Sequence, residues 1–193
     1  MDRMDALVIT PVKDSLETTR MTLEAVSLAE GNFRYIVFDD FSEEPTRKYL
    51  KASQSTLGYD LVSLEDHTSN PSPNYKLVLQ MAQEKANEHH VPLILIESDV
   101  VIHKDTVTNL LRLSQNFKNP GLIGIITVDR QGNYNFPYGN VSKEGEAWAE
   151  TSRSLSFCCT LISPEFLKRY DFKDLSSKKD WFDIHISRQS KKL

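Results

Sequence analysis

The chain has 193 residues, 39% hydrophobic and 26% charged, which fits one soluble globular domain. Its net charge is −4, and no basic block exceeds short pairs such as Lys178-Lys179 and Lys191-Lys192, which argues against a nucleic-acid binder drawing its affinity from clustered cations. No apolar run approaches the ~18 residues of a membrane span and the N-terminus lacks a signal-peptide core, so the expected location is cytoplasmic, or peripheral at the inner face of a membrane.

Ala6-Leu7-Val8-Ile9 reads as a first buried strand, closed by Thr10-Pro11. Asp14-Ser15-Leu16-Glu17 has the form of a capping box, and Leu16, Leu23 and Val26 follow at helical spacing, so a helix is expected from Ser15 to about Leu28, stopped by Gly31-Asn32. Tyr35-Ile36-Val37-Phe38 is a second strand with Asp39-Asp40 at its end. Acids at Glu43-Glu44 and later Lys48 and Lys51 suit the dipole of a second helix, which Gly58 ends. Asp60 to Leu64 reads as a weaker third strand.

Glu65 to Pro73 is rich in loop residues, and Asn74 can cap a helix running to about Glu88, with Leu77, Met81 and the stem of Lys85 on its apolar face. Leu93-Ile94-Leu95-Ile96 then runs directly into Glu97-Ser98-Asp99. A continuous aliphatic run of this kind reads as a strand buried on both faces. If it stays extended through Asp99, both carboxylates lie on one side of the strand. Like charges so placed repel unless a cation sits between them, and oxygen donors favour a hard divalent ion. The plain alternative is a polar strand exit. Strands and helices alternating in this way imply right-handed βαβ units and a mostly parallel sheet covered by helices on both faces.

Asp105 caps a helix bearing Val107, Leu110, Leu111 and Leu113, which Pro120-Gly121 breaks, and Leu122 to Val128 reads as another buried strand. Residues 129–150 are rich in Gly, Asn and Pro with Tyr134, Phe136, Tyr138 and Trp148 interleaved, which predicts a long loop or small hairpin. Its aromatics suit either the apolar faces of sugar rings or a minor hydrophobic cluster. Ser154 to Ile162 is the last strong strand, and its adjacent Cys158-Cys159 read as small buried hydrophobes in a reducing compartment. Ser163-Pro164-Glu165 opens a short helix. Asp180-Trp181-Phe182-Asp183-Ile184-His185 begins a final one, in which acids beside aromatics and a histidine offer either a catalytic cluster or an amphipathic packing helix.

Three acidic clusters thus follow strands: Asp39-Asp40, Glu97-x-Asp99 and Asp180/Asp183. Their order does not fit the response-regulator receiver domain, in which paired acids follow the first strand. It resembles the family 2 nucleotide-sugar glycosyltransferases of GT-A fold. The resemblance is carried by Ile9-Thr10-Pro11-Val12-Lys13-Asp14, by Val37-Phe38-Asp39-Asp40-Phe41-Ser42, by Glu97-Ser98-Asp99, and by Phe182-Asp183-Ile184-His185 with Arg188. It implies a three-layer α/β/α sandwich with a mostly parallel central sheet. The implied chain is a single catalytic domain over residues 1–193, either minimal or truncated at its C-terminus. The implied activity is hexosyl transfer in cell-wall or polysaccharide biosynthesis, from a nucleotide-diphosphate sugar, with UDP-sugars first in expectation. The acceptor is a hydroxyl of a glycan, a lipid-linked molecule or a protein.

Carried onto this chain, the resemblance assigns Thr10, Pro11, Asp39, Asp40, Lys76 and Ser98 to nucleotide binding, with Asp40 favoured for the base N–H. Asp99, assisted by Glu97 and with His185 as a further candidate, would hold Mn²⁺ or Mg²⁺. Asp183, or Asp180, would be the base of an inverting reaction. Three positions depart from the family pattern. Glu97 stands for an aspartate and lengthens that arm by a methylene. Phe41 stands for the glycine of a turn, so the backbone there is expected to avoid positive φ. Phe182 stands for the acid before Asp183. Two other functions remain in view: a non-catalytic nucleotide-sugar-binding relative, and a sugar nucleotidyltransferase, although Val12-Lys13-Asp14-Ser15 lacks that class's Gly-rich basic loop.

Overall fold

The computed structural model describes residues 4–118, 120–135, 148–176 and 181–192. Six strands form one sheet: β1 (Ala6–Val12), β2 (Phe33–Asp39), β3 (Asp60–Ser63), β4 (Leu93–Ile96), β5 (Leu122–Gly124) and β6 (Cys159–Ile162), in the order β3-β2-β1-β4-β6-β5. β1, β2, β3 and β4 run parallel, whereas β6 is antiparallel to both of its neighbours. β1 pairs with β2 on one side and β4 on the other, so the winding direction reverses there, and the carboxyl ends of these strands open the crevice in which such sheets bind ligands.

Alternating side chains of β1 feed two cores. Leu7 and Ile9 join one with α3 (Tyr75–His89), α5 (Pro164–Arg169) and α6 (Phe182–Ser190), represented by Val78, Leu79, Phe166, Leu167 and Ile186. Ala6 and Val8 join the other with α1 (Leu16–Ser27), α2 (Glu44–Leu57) and α4 (Thr106–Gln115), represented by Leu23, Val26, Leu50, Val107 and Leu110. The sequence-based expectation of a mostly parallel sheet between two helical layers therefore holds. No helix among the described residues is long and apolar enough to cross a membrane.

Several local expectations are corrected. β4 stops at Ile96, and Glu97 to Val100 is a turn closed by the Val100 N–H on the Glu97 carbonyl at 3.1 Å, because a Glu-Ser-Asp exit offers polar side chains rather than apolar surface to the ladder. The one-sided placement of Glu97 and Asp99 on an extended strand thus does not apply. Asp14 does not cap its own helix: Asp14 and Ser15 both adopt left-handed backbone, with φ of 57° and 50°. The Asp14 carboxylate instead accepts the Glu43 N–H at 2.6 Å, ahead of α2, and this bond holds its pKa below the usual carboxylate value. Phe41 adopts φ 58° despite its Cβ. The turn is closed by the Ser42 N–H on Asp39 Oδ1 at 3.0 Å, and the Phe41 ring packs against the first core.

α3 has nearly the expected ends, but its buried stripe is Val78, Leu79, Ala82, Gln83 and Ala86, with Leu77 and Met81 only partly buried beside it. The expected strands over 122–128 and 154–162 shorten to β5 and β6. Beyond β5 the chain forms a small hairpin with a Val128–Tyr134 bridge, part of the loop expected over 129–150. Phe136 and Tyr138 of that loop lie outside the described residues, while Trp148 meets Phe117 edge-on at 5.0 Å.

Candidate functional site at the carboxyl rim of the sheet

The ends of β1, β2 and β4 and the start of β6 share one rim of the molecule. Register places Ile96 opposite Cys159, and the Glu97 N–H donates to the Cys158 carbonyl at 3.0 Å, fixing the exit of β4 against the entry of β6. Glu97 is partly buried and its Oε1 accepts a hydrogen bond from the Tyr75 hydroxyl at 2.5 Å. Burial raises the Glu97 carboxyl to about 7, and the Asp99 and Asp183 charges push it the same way while the Tyr75 bond opposes them. Asp183, in the first turn of α6, is also raised, chiefly by burial, with the Ile184 N–H on its Oδ1 at 2.7 Å working against the shift. Glu97 therefore feels the charges of Asp99, two residues on, and of Asp183, from a distant part of the chain. Among the described residues none of the three makes an ion pair.

α6 is seated by packing. Ile186 is fully buried, Ser187 Oγ accepts the Leu155 N–H at 3.0 Å, and the Phe182 ring stacks parallel on Tyr75 with centroids 5.9 Å apart. His185 lies two residues beyond Asp183 and so on another side of the helix; it sits near the Tyr170 ring at 6.2 Å and the Gln189 amide at 3.4 Å. Asp180 lies outside the described residues.

The residues expected at the nucleotide have varied surroundings. Thr10 and Pro11 are buried within β1, and Thr10 Oγ1 accepts the Tyr35 hydroxyl at 2.8 Å. Asp39 is buried in the turn described above. Asp40 takes three hydrogen bonds, from Ser72 Oγ at 2.7 Å, the Asn74 N–H at 2.8 Å and Asn74 Nδ2 at 2.7 Å, which tie the loop before α3 to the end of β2. Lys76 donates to the carbonyls of Lys173 and Leu175 at 2.9 and 2.5 Å, so its ammonium is engaged on the segment that follows α5. Ser98 is partly buried in the turn between Glu97 and Asp99.

Sequence reasoning missed Tyr75, Ser72 and Asn74 as neighbours of these acids. Tyr75 follows a recognisable cap residue, but nothing local signals a contact 22 residues away.

A model of the family described as Glycosyl transferase family 2 matches residues 7–171. The chain belongs to glycosyl transferase family 2. Asp39, Asp40, Glu97 and Asp99 lie within the matched span of this family 2 domain, and α6 with Asp183 lies beyond it. Its fold is shared with S. aureus TarS 1-349, at a TM-score of 0.66 and 15% identity over 97% of this chain and 55% of that one. The same TarS fragment in complex with UDP gives 0.68 and 16%, over 97% and 55%. The mannosyltransferase PcManGT from Pyrobaculum calidifontis, in complex with GDP-Man and Mn²⁺, gives 0.69 and 17%, over 98% and 52%. The chain thus spans about half the length of these structures. No curated protein matches it in sequence.

Among the described residues no group of three or more His, Cys, Asp or Glu is arranged to hold a metal ion unaided. The donor set at the rim nevertheless suits Mg²⁺ or Mn²⁺: Mg²⁺ in particular is commonly bound by one or two carboxylates plus substrate phosphates rather than by an all-protein cage. A partly buried carboxylate raised to about 7 beside two further acids is a place where added positive charge is favourable.

Proposed function

We propose that this chain is the catalytic domain of an inverting nucleotide-sugar glycosyltransferase assisted by Mn²⁺ or Mg²⁺. The observation that supports the reading is Glu97 at the carboxyl rim of a family 2 sheet, beside the reversal of strand winding at β1 and β4, with Asp99 and Asp183 near enough to raise its carboxyl. Asp99 is the principal cation ligand and Glu97 assists it. A divalent cation bound there offsets the charge that develops on a departing diphosphate. Asp39, Asp40 and the Thr10-Pro11 backbone border the nucleoside, with UDP the first choice of carrier.

Asp183 is the general base. Its carboxylate takes the proton of an acceptor hydroxyl as that oxygen bonds to the anomeric carbon. The bond from that carbon to the diphosphate oxygen breaks on the opposite face, so the centre inverts and nucleoside diphosphate leaves. Burial makes Asp183 a stronger proton acceptor than an exposed aspartate. The acceptor is a hydroxyl-bearing glycan, lipid-linked molecule or protein.

The test is release of nucleoside diphosphate from a panel of UDP- and GDP-sugars with Mn²⁺, water serving as acceptor where no other is supplied. Turnover by the wild type, lost in Asp99→Ala and in Asp183→Asn with nucleotide binding kept in the latter, is the expected result. Mn²⁺-dependent binding without turnover would make the chain a non-catalytic nucleotide-sugar binder. The absence of both binding and turnover would overturn the proposal.

A further inference from the structure

Three consecutive residues at the start of α3, Asn74 just before it and Tyr75 and Lys76 within it, gather three separate segments. Asn74 holds Asp40 at the end of β2, Tyr75 holds Glu97 at the end of β4, and Lys76 holds the carbonyls of Lys173 and Leu175. Tyr75 links Glu97 to the start of α6. Its hydroxyl bonds Glu97 at 2.5 Å, within the range of a charge-assisted O–H···O⁻ bond, and its ring lies 5.9 Å from that of Phe182 at an interplanar angle of 5°. Asp183 follows Phe182 directly.

A glutamate has one more torsion to immobilise than an aspartate, and that freedom opposes ligand binding. Tyr75 removes it: engaging Oε1 fixes which way the other carboxylate oxygen faces. The tyrosine ring turns on few torsions and is itself held by the stack, so it is a stiff support for a flexible ligand arm.

We infer that Tyr75 is a positioning residue, whose hydroxyl aims Glu97 at the cation and whose ring seats the start of α6 that carries Asp183. The inference rests on the donor-site reading above and names the residue that lets a glutamate serve in that place. Were Tyr75 only a packing residue, loss of its hydroxyl would alter melting temperature without altering metal-dependent binding.

Tyr75→Phe keeps the ring and its stack and removes the hydroxyl. Calorimetric titration of UDP, with and without Mn²⁺, on wild type, Tyr75→Phe, Glu97→Ala and the double variant separates the possibilities. The expected result is a roughly tenfold weaker Mn²⁺-dependent affinity in Tyr75→Phe, the scale of lost support behind a metal ligand. Metal-free UDP binding should be unchanged, and Tyr75→Phe should cause no additional loss once Glu97 is alanine. Equal affinity in wild type and Tyr75→Phe, or the same loss with and without Glu97, overturns the positioning role and leaves the donor-site reading standing. No Mn²⁺-dependent binding by the wild type of UDP, or of GDP titrated in the same way, overturns both. Phe182→Leu keeps the hydroxyl and removes the stack, and should lower kcat at constant donor KM. A change in KM alone overturns the second half of the role.

Discussion

Glu97 has a carboxyl that burial pushes well above its ordinary value. Its carboxyl, raised to about 7 by burial and by neighbouring acids, keeps its proton in the folded chain at pH values where the unfolded chain, near 4.5, has lost it. Stability from this group is therefore full below about pH 4.5 and is lost as pH rises toward 7, a swing on the order of 3 kcal/mol in the metal-free protein. Melts in a chelator should show Glu97→Gln losing less stability than wild type across that window; parallel curves would contradict the assignment. A cation competes with the same proton, so Mn²⁺ affinity should climb up to about pH 7 and level off above it, as direct titration at several pH values will reveal. Asp183→Asn should lower turnover by roughly 10²–10⁴-fold, the usual contribution of a positioned general base, with the donor still bound. Asp99 and Glu97 were legible as a pair because an acid-x-acid triplet ends an aliphatic run. Their support by Tyr75 was not, since the hydrogen bond exists only after β4 and α3 have packed.

The elements show where local pattern loses to tertiary contact. α3 was legible in its ends but not in its phase, and Asn74 stands at its cap position without capping, its side chain bonding Asp40 instead. Leu77, Met81 and Lys85 form the more obvious stripe, while the buried one includes two alanines and a glutamine, which carry little hydrophobic signal. Gln83 is buried because it closes three backbone groups at once: Nε2 donates to the carbonyls of Leu167 and Tyr170 at 2.9 and 2.6 Å, and Oε1 accepts the Phe172 N–H at 2.8 Å. Gln83→Leu keeps the volume but strands those groups, and chemical denaturation should record a loss of about 1–3 kcal/mol. An unchanged midpoint would mean that water replaces the amide without cost. The left-handed backbone at Asp14, Ser15 and Phe41 escaped sequence reading for a related reason. A non-glycine residue there costs roughly 1–2 kcal/mol, and the compensating bonds, between Asp14 and Glu43 and between Asp39 and Ser42, join segments that only the folded sheet brings together.

Across the whole molecule, alternation of strand and helix was enough to give a mostly parallel sheet between two helical layers. The antiparallel β6 was not legible, because the helical rhythm breaks after α4 and the strand direction then depends on the route of a loop-rich stretch. The topology brings the carboxyl ends of β1, β2 and β4 to one rim, beside the point where winding reverses, and α6 returns the chain near enough for Asp183 to act on Glu97. On the function proposed above, this rim holds a cation-bound donor. The most direct measurement is anomalous scattering from crystals grown with UDP and Mn²⁺, which locates the manganese without reference to activity. A single strong peak is expected, bonded to Asp99 and a UDP diphosphate oxygen, with Glu97 adjacent and Asp183 across the same cleft. Manganese and UDP bound elsewhere, or UDP at the rim with Asp99 and Asp183 facing away from it, would contradict it.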